Sequence, residues 1–485
     1  GTLEAPWILG ILQLQSHDKP KPKEPPKVKC SKAQVHTKCQ QIATIRFQKQ
    51  NLTSFSGLVL LSALFARLKL ACRLKKCFHH IRKSSIYKVH VVVQLLIVHL
   101  LLGFRRLREI DHYRNDPMIL GQLGLRELPD VSTVSRILAE MDEKSVVKFR
   151  DANRELVLGR LEKAGFPRVT IDFDGSVLSH KGHAEGSAVG YNPKKRGARS
   201  YYPLFGTIAQ TGQFFDLHHR PGNVNDINGA EEFMLDCYDE LYRRLPGVKL
   251  ESRVDSAFFS DKIVSLMEDF DVEYSISVPF ERLVDLKGII ERRQRWNSID
   301  KEWSYFELQW KLDCWQKKRR FLCVRHRIQQ RRKGPLQLDL FEPKSFEFEY
   351  KVILTNKTVT AGTVVQFHNG RGSQEGLLGE AKQNTGLDVI PSRRLFANQV
   401  FTICAMMAHN LGREMQMMEE PRSKVAQPKR SAAWDFQTIG TIRRLYLLRA
   451  GRLARPQGKR TLIMNANDKV EQGLTMMLNA LKMAG

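Results

Sequence analysis

Long uninterrupted apolar runs are missing from this 485-residue chain. The most apolar stretch, VHVVVQLLIVHLLLGF (89–104), is broken by His90, Gln94 and His99. It is too short and too interrupted to span a bilayer and reads as a buried core helix. Cysteine is sparse: eight residues form no dense spaced framework, which excludes a disulfide-stapled scaffold and makes a reducing cytosol the default. Cys72, Cys77, His79 and His80, with Cys30, His36 and Cys39 upstream, are zinc-ligand types whose spacings match no common finger, so buried or surface thiols are expected. A secretory leader is also lacking, because WILGILQ (7–13) has no basic flank. The chain starts at Gly1, so that position need not be the natural start. Acidic residues are the main deficit. There are 51 Asp and Glu against 78 Lys and Arg, a formal charge of +27, which repels itself unless a polyanion is near and points to nucleic acid. The basic residues are spread along the chain rather than gathered on one amphipathic helix, which argues against a membrane surface.

The chain divides by composition. Residues 1–50 contain KPKPKEPPKVK (19–29), a basic Lys/Pro tail that cannot bury a core. Residues 51–166 read as a helical N-terminal domain with DNA binding as its expected task. In it Asp130 or Ser132 caps a helix carrying Val134, Ile137, Leu138 and Met141. Residues 167–280 begin an α/β core: a strand at 169–177, two strands around a turn at Gln210–Gly212, a helix over 227–244, a strand at 250–255, a helix, and a strand at 272–278. Three leading strands, a helix, then strands alternating with helices is the order of a ribonuclease-H-like fold. Residues 281–345 alternate as strands do and interrupt that core as a β-rich insertion. Phe306, Leu308, Trp310 and Leu312 face one way, and Trp303, Tyr305 and Lys311 the other. The core resumes over 346–415, and 416–485 is a basic C-terminal region.

Three acids stand out in so basic a protein. VTIDFDGSV (169–177) is a strand with Val169, Ile171 and Phe173 on one face and Asp172 and Asp174 on the other, ending at a Gly-Ser turn. LESRVDSAFFS (250–260) is a short strand carrying Asp255. Taken as one helix turning about 100° per residue, HNGRGSQEGLLGEAK (368–382) places His368, Arg371, Glu375 and Lys382 on one stripe, with Glu380 opposite. Each acid alone suits a cap or turn, and the stripe alone suits a solvated helix. Together, two strand aspartates and a helix glutamate can meet at a sheet end and hold two divalent cations about 4 Å apart for in-line attack on phosphate.

These residues resemble the DDE transposases of bacterial insertion sequences, in the branch marked Y-(2)-R-(3)-E-(6)-K. Here His368, Arg371, Glu375 and Lys382 keep the spacing with histidine in the tyrosine position. DFDGSV, GYNPKKRGARSYYPL (190–204), RPGNVND (220–226), RVDSAFF (253–259) and RRLFANQVFTICAMMAHNL (393–411) resemble the insertion sequence 1380 family in particular, over roughly Leu52 to Arg460. The resemblance implies a ribonuclease-H-like core and a catalytic triad of Asp174, Asp255 and Glu375 that also ligates two Mg²⁺ or Mn²⁺ ions. Asp172 is the alternative first carboxylate. It implies an enzyme that cuts transposon ends and joins them to target DNA, partnered by double-stranded DNA at inverted repeats and target. A homodimer on DNA and a nucleoid-associated location in the bacterial cytoplasm, with no membrane, go with it. The tyrosine position contacts DNA in the family, so His368, Arg371 and Lys382 are DNA-binding candidates. A transposase-derived DNA-binding protein without catalysis, or another ribonuclease-H-like nuclease, are the alternatives.

Further basic groups suit DNA. Lys194, Lys195, Arg196 and Arg199 follow the first strand closely in sequence, and seven Lys or Arg lie between Arg443 and Arg460. Trp296, Trp303, Trp310 and Trp315 lie among Arg/Lys runs. Trp303 is the candidate for stacking on an unpaired base, and Trp310 for the core.

Overall fold

The computed structural model describes residues 47–48, 50–81, 86–190, 192, 195–327, 348–419 and 427–483. The Lys/Pro segment, Cys30, His36, Cys39 and Lys194 fall outside them.

A two-residue strand β1 (Leu52–Thr53) precedes helices α1 (Leu58–Arg67), α2 (Leu70–Phe78), α3 (Val89–Leu101), α4 (Pro117–Leu123), α5 (Val131–Ala139) and α6 (Glu143–Ala164). Asp130 caps α5, accepting from Thr133 N at 2.6 Å, and Val134, Ile137 and Leu138 turn inward. Helix α3 is mostly apolar and is buried on nearly all sides, Gln94 and His99 included. Among the described residues no helix is long and apolar enough to cross a membrane.

Next come β2 (Arg168–Gly175), β3 (Leu178–Ser179), β4 (Ala188–Val189), β5 (Arg199–Tyr201), β6 (Leu204–Ile208), β7 (Gln213–His218), α7 (Ala230–Arg244), β8 (Lys249–Val254), α8 (Asp261–Asp269) and β9 (Glu273–Ser277). Then follow α9 (Val284–Arg292), β10 (Asn297–Ser298), β11 (Trp303–Trp310), β12 (Arg319–Arg327), β13 (Phe348–Thr355), α10 (Ala361–Asn369), α11 (Gly372–Asn384), α12 (Leu395–Glu419), α13 (Ile439–Ile442), β14 (Gly451–Ala454), β15 (Thr461–Met464) and α14 (Asp468–Met483). The main sheet runs β10-β11-β12-β13-β9-β8-β2-β6-β7. Its β7-β6-β2 portion is antiparallel, and β8 and β9 join β2 in parallel after the crossovers through α7 and α8, which is the order anticipated above.

Strands β10, β11 and β12, expected to form an insertion of their own, continue this sheet through β13, which pairs with β12 on one side and β9 on the other. Local alternation shows which residues share a face, not which edge a strand will find. The alternation itself holds. Phe306, Leu308 and Trp310 pack on the main core, and Trp303 and Tyr305 on a second one formed by Leu322, Val324, Ile353, Ala361, Val364 and Val365. Trp303 stacks on His326 with ring centroids 4.4 Å apart. One contact of its ring is thus made within the protein, while the residue stays partly exposed.

Helix α12 packs across α3 and α6, and α14 packs on α12 and α1. β1 pairs with β14 and β14 with β15, so early and late segments share one small sheet. Another small sheet, β3-β5-β4, carries the basic loop. There Lys195 and Arg196 are exposed, whereas Arg199 donates to Ser187 Oγ at 3.2 Å.

Candidate active site

Side chains alternate along a strand, so Thr170, Asp172 and Asp174 on β2 share a face with Glu251, Arg253 and Asp255 along β8. The parallel register sets Thr170 beside Glu251 and Asp172 beside Arg253. Two residues further on, Asp174 and Asp255 meet at the open end. This ladder of charge is compensated unevenly. Buried Glu251 accepts from Thr170 Oγ1 at 2.9 Å, Lys357 Nζ at 2.7 Å and Arg430 Nε at 2.8 Å. Burial opposes its charge, but Arg430 and Lys357 hold the carboxyl at about 2. Asp172 is paired on both oxygens by Arg253, with Nε and Nη2 each at 2.6 Å, and the two side chains are 1% and 0% exposed. Arg253 Nη1 also donates to the carbonyls of Phe367 at 3.2 Å and Lys429 at 2.8 Å.

At the open end the balance fails. Arg371 lies 3.9 Å from Asp174 and 3.3 Å from Glu375. Burial, then Asp255 and Asp226, push Asp174 up to about 7 against the pull of Arg371. Burial raises Asp255 as well, with Asp226 and Glu375 adding to the rise. The Ala257 N–H, 2.9 Å away, and Arg371 oppose it.

Asp226 was not singled out by sequence reasoning, although it lies in RPGNVND. Buried Arg220, heading that segment, donates Nη1 to the carbonyls of Asn225, Asp226 and Asn228 at 2.9, 3.1 and 2.7 Å. Those bonds fold the loop back so that Asp226 adds its charge to the site. Its Oδ1 is buried with no hydrogen-bond donor among the described residues. The Tyr202 hydroxyl bonds to Asp226, and burial followed by this carboxylate raises the phenol. A Cβ on Gly175 would lie 2.5 Å from both Asp226 Oδ1 and Tyr202 Oη, so the residue after Asp174 has no room for a side chain.

The stretch 368–382 is two helices, not one. A Cβ on Gly370 would collide with the Arg253 guanidinium and the Lys429 carbonyl, and the chain breaks there between α10 and α11. His368 is 2% exposed, with Nδ1 3.0 Å from Ser275 Oγ and Nε2 2.9 Å from Ser277 Oγ. Burial holds its imidazole neutral. It anchors α10 to β9 and has no surface to offer DNA, so the expected stripe loses its first member. Arg371 heads α11, and Gln374 Nε2 pins that helix to the Asp172 carbonyl at 2.9 Å. Glu375 is 64% exposed, and Lys382 Nζ approaches the Val177 carbonyl at 3.4 Å. Glu380 points elsewhere, as expected, but it is packed: it binds Arg413 and accepts from Ile439 N at 2.7 Å.

As the side chains stand, no three acidic, histidine or cysteine groups among the described residues are gathered tightly enough to hold one ion. The donor chemistry nonetheless fits a hard cation. Buried oxygens crowd one end of the sheet, one of them without a hydrogen-bond donor among the described residues, and the guanidiniums near them stand off, Arg371 at 3.9 Å from Asp174 and Arg220 at 3.8 Å from Asp226.

Residues 35–483 match the family described as Transposase DDE domain group 1, and the chain belongs to that family. It is a DNA transposase, an enzyme of DNA cleavage and strand transfer. No curated protein is a significant match. Among solved structures, a piggyBac transposase synaptic complex with hairpin DNA is similar at 12% identity and a TM-score of 0.39, over 80% of this chain and 79% of that one. A Mos1 transposase paired-end complex with the left transposon end matches at 12% identity and a TM-score of 0.16, over 40% and 60% of the two chains. A Mos1 mariner paired-end complex with Mn matches at 14% and 0.16, over 50% and 72%.

The charge deficit has a measurable sign. Asp174 titrates near 3.8 when unperturbed and about 7 here. The folded state therefore holds the proton more tightly, and stability is lost as pH rises from about 4 through 7. Asp174→Asn, which cannot ionise, is expected to raise the Tm of the metal-free protein at pH 8, by an amount that shrinks toward pH 4. A wild type that melts above the variant at pH 8 would contradict this.

Proposed function

We propose that Asp174, Asp255 and Glu375 are the DDE triad of this transposase and hold two divalent cations, Mg²⁺ or Mn²⁺. The supporting observation is the uncompensated end of the ladder. Asp172 and Glu251 each have a bound cationic side chain, while Asp174 and Asp255 share one distant guanidinium with Glu375. Asp172, the alternative first carboxylate, is thereby assigned to structure. When bound, the cations activate a water or a DNA 3′-hydroxyl and stabilise the leaving oxygen. The chain's own part is to fix the geometry: β2 and β8 set the two aspartates side by side, Gln374 locks α11 onto β2, and Arg371 and Lys382 take phosphates. Lys194, Lys195 and Arg196 extend that contact along DNA. The five-strand core is read as ribonuclease-H-like. The chain is read as a member of the insertion sequence 1380 group, acting on inverted-repeat ends and target DNA as a homodimer, and no covalent protein–DNA intermediate is needed.

Two glutamates on one helix test this. Glu375→Gln keeps size and hydrogen bonding and is expected to abolish Mg²⁺-dependent cleavage with an unchanged Tm, because the side chain is exposed. Glu380→Gln removes the charge facing buried Arg413 and is expected to lower Tm while the folded fraction still cleaves. Cleavage and thermal melts of both variants check this, and the reverse pattern would overturn the assignment of Glu375.

A further inference from the structure

A cavity of about 590 Å³ opens where α4 meets the C-terminal sheet, within the size range of small-ligand sites. Leu120, Leu125, Leu453 and Ala454 form apolar wall, and Arg126, Arg455 and Arg460 bring three guanidiniums to it. Among the described residues that line it, none is acidic. The walls are tied together. Asp116 caps α4 through Met118 N at 2.9 Å and also accepts from Thr53 Oγ1 at 2.9 Å, joining α4 to β1. β1 pairs with β14, and Leu453 N donates to the Asn51 carbonyl at 2.9 Å. Asn51, itself part of the lining, sits at φ 53°, in the left-handed region that non-glycine residues seldom occupy outside turns and functional sites. Arg460 lies so close over α4 that a Cβ on Gly121 would be 2.5 Å from its Nη2. Burial and the neighbouring Arg455 cation both lower the Arg460 guanidinium, so two like charges lie close together at one side of the cavity.

We propose that this cavity seats a phosphodiester of duplex DNA, with arginine forks on the phosphate oxygens and the apolar wall against the sugar and base edge. Arginine suits the task because its planar donors match phosphate oxygens two at a time. The site is separate from the carboxylate ladder. It rests on the chain's action on DNA, not on which residues hold metal, so binding in EDTA tests it whatever becomes of the triad.

The probe is a fluorescently labelled random-sequence duplex, read by anisotropy across a salt series. The triple variant R126A/R455A/R460A is expected to weaken binding at least about tenfold. It should also flatten the slope of log K against log salt by about one unit, since each phosphate neutralised on duplex DNA contributes about 0.9. Ala454→Trp fills the cavity while keeping all three charges and is expected to weaken binding as well. R455K/R460K keeps the charge but loses the forks, needs no new volume, and is expected to fall between wild type and the triple variant. Wild-type affinity and slope in the triple variant would overturn the proposal. So would a loss confined to it, with Ala454→Trp and R455K/R460K binding as wild type, since the arginines would then act only as diffuse charge. Unchanged duplex binding in every variant, with a free mononucleotide bound by wild type but not by Arg460→Ala, would assign the cavity to nucleotides instead and also overturn it.

Discussion

Asp255→Ala is expected to lower cleavage at least about 1000-fold, about 4 kcal/mol at roughly 1.36 kcal/mol per tenfold, while duplex DNA is still bound. The substitution removes one of the two side-by-side strand carboxylates, and no phosphate-binding group goes with it. Because Asp255 also accepts the Ala257 N–H at 2.9 Å, alanine exposes that donor. Asp255→Asn preserves an acceptor there and serves as the partner variant. Both are expected to lose cleavage together, and both should bind Mn²⁺ more weakly in a direct titration. Cleavage at the wild-type rate in Mg²⁺ by either variant would end the case for the triad.

The second large effect falls on stability. Asp172→Ala strips the carboxylate from Arg253, whose side chain is 0% exposed. A buried cation left without its partner costs about 3–5 kcal/mol. Arg253 also holds the carbonyls at the α10–α11 break, so the damage is expected to spread to the helix bearing Glu375. Thermal melts should show a large fall in Tm, and chemical denaturation a matching fall in midpoint. If Asp172→Ala melts like wild type yet cannot cleave, Asp172 and not Asp174 is the metal ligand, and the reading of the ladder is inverted.

Which parts of this arrangement can be read from the residues follows from the range of the interactions. The strand with Asp172 and Asp174, the Gln210–Gly212 turn, the Asp130 cap and the two faces of β11 are written in neighbours two to four positions apart. The crowding at Gly370 is not, because Arg253 and Lys429, which leave no room for a Cβ beside the break between α10 and α11, come from distant parts of the chain. A helix drawn through 368–382 therefore put His368 on the wrong surface. The choice between Asp172 and Asp174 is of the same kind. Both alternate correctly; the Gly-Ser turn after Asp174 favours it in the sequence, but the arginine that pairs Asp172 is brought only by the register of β2 with β8. Asp226 reaches the site through three main-chain bonds from Arg220, a loop closure with no periodic signature. Strand β11 is visible as a strand, but its joining through β12 to β13 depends on an edge that local pattern cannot name, and the helix α9 at Val284–Arg292 departs from the alternation expected of that segment.

The pairing of Leu52 with Arg452 and Thr53 with Gly451 bears on how the protein is made. During synthesis residue 52 must wait for residue 452, so the helices that emerge first are left with apolar surface that is covered only once residues 395–483 have been made. Contacts so distant in sequence close slowly, and a half-made chain with uncovered α1 and α3 is prone to self-association. A chain cut short before β14 would lack the strand that closes β1 and the Leu453, Ala454, Arg455 and Arg460 side of the arginine cavity, while keeping Asp174, Asp255 and Glu375.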